Sequence, residues 1–368
     1  MIKYAHIIKD LPENTPFVGP ETQVRELGYS FAARLGANES IFGPSKAALR
    51  VMRYETRSIW KYGDPENYEL KKEIALKHNI STDNIVVGEG IDGLLGYLTR
   101  LLISPGENVV TTDGAYPTFN YHVSSTGGRL HLVQFQDNRE NLEGLLAATK
   151  KNKAKIVYCS NPNNPMGTMN QPHNIENFAL SIPETSLLCL DEAYCDYLSQ
   201  NLIPKIPVDT PNVIRLRTFS KAYGLAGARC GYAIGPTHLV RAFNKIRNHF
   251  GVNRIAQLAA IASLRDHTHI PRIQKKVGVA IKKLSSIAIE NKCIPIPSYT
   301  NFLAVDCLRD ETFARKVVIG LAKKKIFVRM PFSFPQNRCI RVSAGNATDI
   351  RLFSEAFEKV LNELKIIS

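Results

Sequence analysis

A lysine that follows a predicted buried strand, with a serine before it and an arginine eight residues beyond it, carries the strongest chemical signal in this sequence. The apolar, β-branched run at 213–216 predicts the strand, which delivers Ser220 and Lys221 into a glycine-containing loop. Apolar surroundings at the end of a sheet lower the pKa of a lysine and free its amine as a nucleophile. The Ser220 hydroxyl and the Arg229 guanidinium are suited to binding a phosphate monoester.

An imine-forming amine beside groups that bind phosphate is what a protein needs to hold pyridoxal phosphate (PLP). A Ser-Lys pair at a strand end is, taken alone, more often part of the solvated surface. The prediction of a PLP lysine therefore depends on the other motifs of the chain.

A glycine-rich segment at 87–93 follows a predicted strand and opens a predicted helix. Gly88, Gly90 and Gly93 match the G-x-G-x-x-G pattern of dinucleotide-binding proteins, and Asp113 lies twenty residues beyond Gly93. Glycines at the start of a helix let backbone N–H groups approach any phosphate, so the segment predicts an anion site more firmly than a nicotinamide site. A nicotinamide-dependent oxidoreductase stays open as an alternative, but it leaves Lys221 unexplained.

Two polar segments follow predicted strands in the middle of the chain. The segment 161–167 holds two Asn-Pro steps and a glycine, and such turns lie where α/β proteins bind ligands, although most of these clusters are ordinary turns. Asp191 and Tyr194 come directly after an apolar strand. A buried carboxylate needs a partner, and a protonated pyridine nitrogen would be one. A structural salt bridge is the alternative for Asp191.

Two arginines near the C-terminus complete the set of candidate residues. Arg329 and Arg341 lie at otherwise apolar strands, and a guanidinium binds carboxylate or phosphate through a planar, two-pronged group of donors. From the residues alone, a clamp for an anionic substrate and an interdomain salt bridge explain this pair equally well.

Short apolar strands alternate with helical patterns in the first two thirds of the chain, which predicts an α/β fold with a largely parallel sheet. Seven strands are predicted, at 85–87, 109–112, 130–135, 155–159, 187–190, 214–218 and 232–234. Helices are predicted between them at 91–103, 117–126, 140–151, 172–181 and 237–248. Beyond residue 297, three strands around a helix at 311–323 predict a smaller α+β unit. We expect an N-terminal arm at 1–30, a large domain at 31–255, and a small C-terminal domain at 256–368 that packs with the N-terminal segment.

The composition predicts a globular enzyme without a membrane span or a secretory signal, and hence a cytoplasmic protein. The seven cysteines are scattered and show no C-x-x-C pair, so we expect buried, reduced thiols and no metal site. The net charge is +14, but the lysines are spread over several predicted helices. Attraction of small anions explains this charge better than nucleic-acid binding, which stays as a minor alternative.

The order of these motifs resembles the class I/II PLP-dependent aminotransferases of fold type I, and within them most closely the histidinol-phosphate aminotransferase branch. The likeness extends over nearly the whole chain. It implies a large domain with a mostly parallel seven-stranded sheet, a homodimer with shared active sites, and Lys221 as the lysine that carries PLP as an aldimine. Asp191 would pair with the pyridine nitrogen, and Tyr194 with Asn164 would bind the phenolic oxygen. The resemblance also implies cofactor contacts from Gly90, Ile91, Asp92, Tyr116, Ser220, Arg229 and the second subunit's Tyr62, and substrate contacts from Asn38, Arg329 and Arg341.

The resemblance implies transfer of an amino group from an anionic amine, with L-histidinol phosphate as the best candidate, to a 2-oxo acid such as 2-oxoglutarate. Phe17 stands where many histidinol-phosphate enzymes carry a tyrosine, and Ile91 and Gly93 also depart from the pattern of relatives. An aromatic or other amino-acid aminotransferase therefore stays open as an alternative. So does a non-transaminating PLP enzyme on the same fold, such as an amino-acid-phosphate decarboxylase or a cyclase.

Overall fold

The computed structural model describes residues 2–9, 11–13 and 18–366, with backbone alone for the last two. The predicted departure at Phe17 lies outside the described residues. The α-helices are α1 Pro20–Leu27, α2 Lys46–Glu55, α3 Tyr68–His78, α4 Gly90–Leu102, α5 Pro117–Ser125, α6 Leu142–Asn152, α7 Pro172–Ser181, α8 Thr237–Ala242, α9 Arg254–Arg265, α10 His269–Glu290, α11 Glu311–Lys323 and α12 Ala347–Ile366. The strands are β1 Ala33–Arg34, β2 Ile85–Gly88, β3 Asn108–Thr112, β4 Arg129–Val133, β5 Ile156–Ser160, β6 Leu187–Asp191, β7 Val213–Thr218, β8 Gly231–Ile234, β9 Ile294–Pro295, β10 Phe302–Asp306, β11 Ile326–Phe327 and β12 Cys339–Ser343.

The seven strands predicted in the first two thirds of the chain form one sheet, in the order β2-β8-β7-β6-β5-β3-β4. Strand β8 runs antiparallel to both of its neighbours, and the other pairs within the β7-to-β4 part of the sheet are parallel. The central strands are buried on both sides, as continuous apolar sequence predicts for a parallel sheet covered by helices. The α/β fold class with a mostly parallel seven-stranded sheet is confirmed.

Side chains of the central strands alternate between two apolar clusters, one on each face of the sheet. One cluster joins alternate residues of β5, β6 and β7 to helices α4 and α5. The other joins the intervening residues to α6 and α7. Side chains two residues apart on a strand lie on the same face of the sheet, so this alternation determines which side chains at the strand ends share a face.

The C-terminal third forms a second core around the sheet β12-β10-β9 and the helices α10, α11 and α12. Strand β1 joins this unit, since it pairs in parallel with β11 and buries Ala33 and Leu35 in the same cluster. Helix α9 instead packs its buried alanines against the large sheet with α2 and α3. The division at residue 255 stays a prediction, and this packing favours a boundary after α9.

The segment expected to be an irregular arm contains helix α1. Pro20 at its first position has a φ that suits a helix start, and Gly28 ends it in the left-handed region at φ 74°. These two terminal signals, rather than apolar periodicity, define the helix. Predicted helix 237–248 is also shorter than expected, because α8 ends at Ala242 and continues as a 3₁₀ turn at Phe243–Lys245.

All seven cysteines are buried and none forms a disulfide bond, so the expected burial of these thiols is confirmed. Over residues 2–9, 11–13 and 18–366, no helix has the length and apolar character needed to cross a membrane.

Candidate active site

A cavity of about 290 Å³ lies at the carboxyl ends of β5, β6 and β7, against the N-terminus of α4. This is the edge at which parallel α/β sheets bind ligands. Eleven residues predicted for the site line the cavity: Asn38, Ile91, Asp92, Tyr116, Asn164, Asp191, Tyr194, Ser220, Lys221, Arg229 and Arg341.

The amine of Lys221 lies inside the cavity, and no carboxylate of the described residues is bound to it. Its Nζ donates a hydrogen bond to the backbone oxygen of Asn38 at 3.2 Å and lies 5.6 Å from the centre of the Tyr194 ring. Burial and the nearby Arg341 guanidinium lower the pKa of Lys221 to about 8. A substantial neutral fraction at physiological pH makes this amine a competent nucleophile.

Asp191 is buried and keeps its carboxylate in fixed hydrogen bonds. Tyr158 donates its hydroxyl to Oδ2 at 2.5 Å, and the backbone N–H of Ala193 donates to Oδ1 at 2.9 Å. Burial raises the pKa of Asp191, although both hydrogen bonds act in the opposite direction. No described residue forms an ion pair with Asp191. A cationic partner entering the cavity would therefore be strongly favoured beside this carboxylate.

One end of the cavity is suited to an anion such as phosphate. Ile91 and Asp92 lie in the first turn of α4, where backbone N–H groups lack partners within the helix. Arg229 Nη1 lies 3.5 Å from the Ser220 hydroxyl. Gly90, at φ 80°, brings the backbone so close that an added Cβ would lie 2.7 Å from Arg229 Nη2.

The opposite side of the cavity contains a buried guanidinium. Arg341 donates from Nη1 to Asn164 Oδ1 at 2.5 Å and from Nη2 to the backbone oxygen of Gly36 at 3.2 Å. Its Nε has no hydrogen-bond partner among the described residues. Burial lowers the pKa of Arg341, and no described carboxylate is paired with it. This arrangement can bind an anionic ligand.

Asn38 joins the two sides of the cavity. Its Nδ2 donates to the Tyr194 hydroxyl at 3.0 Å, and its Oδ1 accepts from Ser343 at 3.2 Å. Asn38 adopts a left-handed φ of 55°, which asparagine tolerates better than most residues. Burial raises the pKa of Tyr194 to about 12, so its hydroxyl remains a donor.

Three predicted site residues do not line the cavity. Gly90 lies just behind it, as described above. Arg329 is adjacent to Arg341 through two backbone hydrogen bonds, and its Nη2 donates to the Val18 oxygen at 2.5 Å. Tyr62 is 81% exposed and contacts the ring of Phe250, with centres 5.0 Å apart. Its predicted role in the active site of a second subunit stays a prediction.

Several residues that sequence reasoning did not assign also line the cavity: Ala37, Glu39, Tyr158, Ser160, Pro162, Ala193, Thr218 and Ala226. Period two on β5 could have found Tyr158 and Ser160 once one side of that strand was known to face the site. Behind them lies the buried Glu140, which accepts hydrogen bonds from the Thr112 hydroxyl and from Ser160 Oγ at 2.9 Å. Burial raises the pKa of Glu140 to about 7.

Comparison with known proteins places these features in a family. A model of the family described as aminotransferase class I and II matches residues 33–357. The chain is 32% identical to a histidinol-phosphate aminotransferase of Moorella thermoacetica, over 92% of this chain and 87% of the relative. It is also 32% identical to histidinol-phosphate aminotransferase 2 of Carboxydothermus hydrogenoformans, over 98% of both chains.

Solved structures agree with the sequence comparisons. The crystal structure of histidinol-phosphate aminotransferase from Sinorhizobium meliloti, in complex with pyridoxal-5'-phosphate, superposes with a TM-score of 0.96 at 46% identity and covers 99% of both chains. Aspartate aminotransferase from Thermus thermophilus with maleate shares the fold at 17% identity, with a TM-score of 0.82 and coverage of 98% of this chain and 100% of that one. This chain therefore belongs to the class I and II aminotransferase family.

Proposed function

We propose that this chain is a PLP-dependent aminotransferase that transfers the amino group of L-histidinol phosphate to a 2-oxo acid such as 2-oxoglutarate. The observation that carries the proposal is one cavity that contains a partly neutral lysine, the N-terminus of a helix, and a buried carboxylate and a buried arginine that form no ion pair with any described residue. The 46% identity to the S. meliloti enzyme supports both the cofactor and the phosphorylated donor.

The residues of the cavity fit PLP in charge and in hydrogen-bonding capacity. The first turn of α4, Ser220 and Arg229 would bind its phosphate, and Asp191 would neutralise its pyridine nitrogen. Since Asn164 Oδ1 is already bound to Arg341, its amide N–H₂ is left to donate, together with Tyr194, to the phenolic oxygen. When bound, PLP supplies the electron sink that stabilises negative charge at the substrate Cα.

Lys221 would act twice in this proposal. Its neutral amine would hold the aldehyde carbon of the cofactor and, once displaced by the amino group of the substrate, would become a free base beside the substrate Cα. A pKa of about 8 lets the same nitrogen accept a proton there and return it at the cofactor carbon. Tyr194, whose ring lies beneath Lys221 Nζ, would limit the positions that the released amine can occupy.

Arg341 would bind the anionic group of both substrates. The phosphate of the donor and a carboxylate of the 2-oxo acid both match a planar guanidinium. Arg329 lies next to Arg341, and burial together with that neighbouring charge lowers the pKa of Arg329 to about 10. An incoming anion would relieve the repulsion between these two arginines, so it should bind more tightly than to either alone.

Two copies of the chain would form the working enzyme. Trp60, Tyr62 and Phe250 are 78%, 81% and 52% exposed and lie in two segments that meet at the contact between Tyr62 and Phe250. Exposed aromatic patches of this kind are typical of interfaces, and a second copy would bury them. We propose that Tyr62 then reaches the phosphate end of the partner's cavity. A cytoplasmic location stays a prediction from the sequence.

The visible spectrum of the purified chain tests this proposal. Addition of PLP should give the visible absorbance band of a cofactor bound to a lysine. Reduction with borohydride should attach the cofactor permanently to Lys221, and Lys221→Ala should abolish this attachment. Histidinol phosphate should then convert the band to that of the aminated cofactor, and 2-oxoglutarate should restore it.

The competing assignments predict different results in the same experiment. A reaction with aromatic amino acids but not with histidinol phosphate would reject the donor and support an aromatic aminotransferase. Turnover of an amine without consumption of any 2-oxo acid would reject transamination and support a decarboxylase or a cyclase. A protein that remains colourless with PLP would contradict the whole proposal.

A further inference from the structure

A second cavity, of about 1020 Å³, lies on the other face of β7 and shares no residue with the candidate active site. Alternation along β7 places Thr218 in the first cavity and Arg217 in the second. The second cavity is bounded by the C-terminal end of α3, the loop around residues 195–205, and the turn between α9 and α10. Nothing in the proposed transamination uses it.

The inner wall of the second cavity contains a buried guanidinium with unused donors. Arg217 is 3% exposed, and its Nε donates to Glu192 Oε2 at 2.8 Å. Its two terminal nitrogens make no hydrogen bond with any described residue, although the side chain lines the cavity. Neither nitrogen is among the fully buried side-chain atoms that lack a partner, so both open to the cavity, where a ligand can reach them.

Positive charge exceeds negative charge along this wall. Arg215 and Arg217 share the carboxylate of Glu192, and Lys77 binds Asp196 at 2.8 Å. Three cations therefore meet two carboxylates. Burial lowers the pKa of the neighbouring His78 far below its usual value, and the charges of Arg217 and Lys77 act in the same direction.

The mouth of the cavity adds two cations, Lys205 and Arg265, and two carboxylates, Glu73 and Asp266, so the excess positive charge comes from the inner wall. Lys205 is exposed there, and Arg265, 60% exposed, reaches the rim while paired with Glu73. Charged groups around a partly enclosed, low-dielectric cavity concentrate small ions of the opposite sign.

We propose that this second cavity binds a small phosphate-class anion against the terminal nitrogens of Arg217, with Lys205 and Arg265 guiding it through the mouth. A guanidinium offers two parallel donors to a phosphate, and the excess positive charge of the wall would be neutralised. Because β6 and β7 carry Asp191 and Thr218 on their other face, the bound anion would stabilise the strands that support the active site.

Calorimetric titration of the PLP-loaded enzyme with inorganic phosphate at low ionic strength tests the proposal. The double variant Lys205→Ala/Arg265→Ala should bind phosphate at this cavity about tenfold more weakly, because each exposed cation contributes roughly a threefold effect. Arg217→Lys keeps the charge but loses the planar donors, and it should show a loss of similar or greater size. Phosphate bound at Arg341 should persist in both variants, so its contribution can be separated from binding at the second cavity.

The double variant Arg315→Ala/Arg351→Ala is the matched control, since both arginines are 61% exposed, pair along their own helices and lie outside the cavity. It removes the same charge and should leave the titration unchanged. The proposal would be overturned if phosphate binding were weakened equally in this control, or if the titration of the rim variant, Lys205→Ala/Arg265→Ala, coincided with that of the wild type. The rim variant decides the question even if Arg217→Lys fails to fold, and the binding signal does not depend on transamination.

Discussion

Replacing Tyr158 by phenylalanine would test how the protein controls the charge of Asp191. The substitution removes one hydroxyl, which donates to Asp191 Oδ2 at 2.5 Å, and keeps the ring that stacks on Phe119 with centres 4.5 Å apart. The remaining donor to Asp191 is the backbone N–H of Ala193. The packing of the site is thereby preserved while one of two hydrogen bonds to a buried carboxylate is lost.

The size of the effect follows from the charge of the acceptor. A hydrogen bond to a charged group contributes about 1.5–3 kcal/mol, and one between neutral groups about 0.5–1.5 kcal/mol. Loss of the Tyr158 hydroxyl should therefore raise the pKa of Asp191 further. Folding raises the pKa of this carboxyl, so the folded protein becomes less stable as pH rises above the unfolded pKa, and the loss of stability grows until the pH passes the folded pKa. Tyr158→Phe should thus destabilise the protein more at pH 8 than at pH 4.5.

Thermal unfolding of the cofactor-free protein measures this difference. For 368 residues the unfolding entropy is about 0.8 kcal/mol/K, so the midpoint should fall by about 2–4 °C at pH 8 and by about half of that at pH 4.5. Tyr121→Phe is the control, because Tyr121 lies on the same helix as Phe119 and its hydroxyl has no partner among the described residues. Equal shifts at both pH values, or a shift no larger than that of the control, would refute the role assigned to Tyr158.

Three further substitutions give separate readouts. In the wild type, a stability loss of about 3 kcal/mol develops at Glu140 as pH rises from about 4.5 to about 7, and Glu140→Gln should remove it. The melting temperature of this variant should therefore equal that of the wild type at pH 4.5 and exceed it fully at pH 8. Glu143→Gln, at an exposed position, is the control and should change the melting temperature equally at both pH values. Gly90→Ala forces an alanine into φ 80° and towards a guanidinium of the site; equilibrium dialysis should show PLP binding about tenfold weaker, while Gly227→Ala, which meets nothing within 4 Å, should bind normally. Arg341→Lys keeps the charge but loses the planar donors, and steady-state kinetics should show KM for both anionic substrates raised about tenfold; an unchanged KM would remove Arg341 from substrate binding.

The strands and the residues directly after them were accessible to sequence reasoning because local patterns determine them. Apolar runs locate the buried strands, and polar residues at their ends then fall at one edge of a parallel sheet. Lys221 and Asp191 are brought together in this way, although thirty residues separate them. The helix α1 was missed because its evidence lies in its two ends, Pro20 and Gly28.

Tyr158 and Glu140 could not be assigned from sequence for a different reason. Tyr158 lies inside an apolar strand, and its role at the site depends on the strand register, which places Ser160 opposite Asp191 on the neighbouring strand. Glu140 precedes a helix, where a glutamate is usually solvated, and only tertiary packing reveals that it is 3% exposed. Both assignments need the relative position of two elements, which no pattern within one element contains.

The adjacent acids Asp191 and Glu192 show why the cavity favours a ligand whose ring carries a positive charge. Burial acts to raise the pKa of both, and both are less than a tenth exposed. Arg215 and Arg217 outweigh burial for Glu192 and hold its pKa below the usual value. Among the described residues, Asp191 accepts hydrogen bonds from a phenol and a backbone N–H and has the Lys221 charge nearby, but burial outweighs these and its pKa stays raised. Two buried carboxylates at consecutive positions thus differ in that Glu192 is paired with two guanidinium groups, whereas among the described residues Asp191 is in no ion pair. The uncompensated charge left when a buried ion pair is broken costs about 3–5 kcal/mol, so under the proposed function a protonated pyridine nitrogen beside Asp191 would be stabilised.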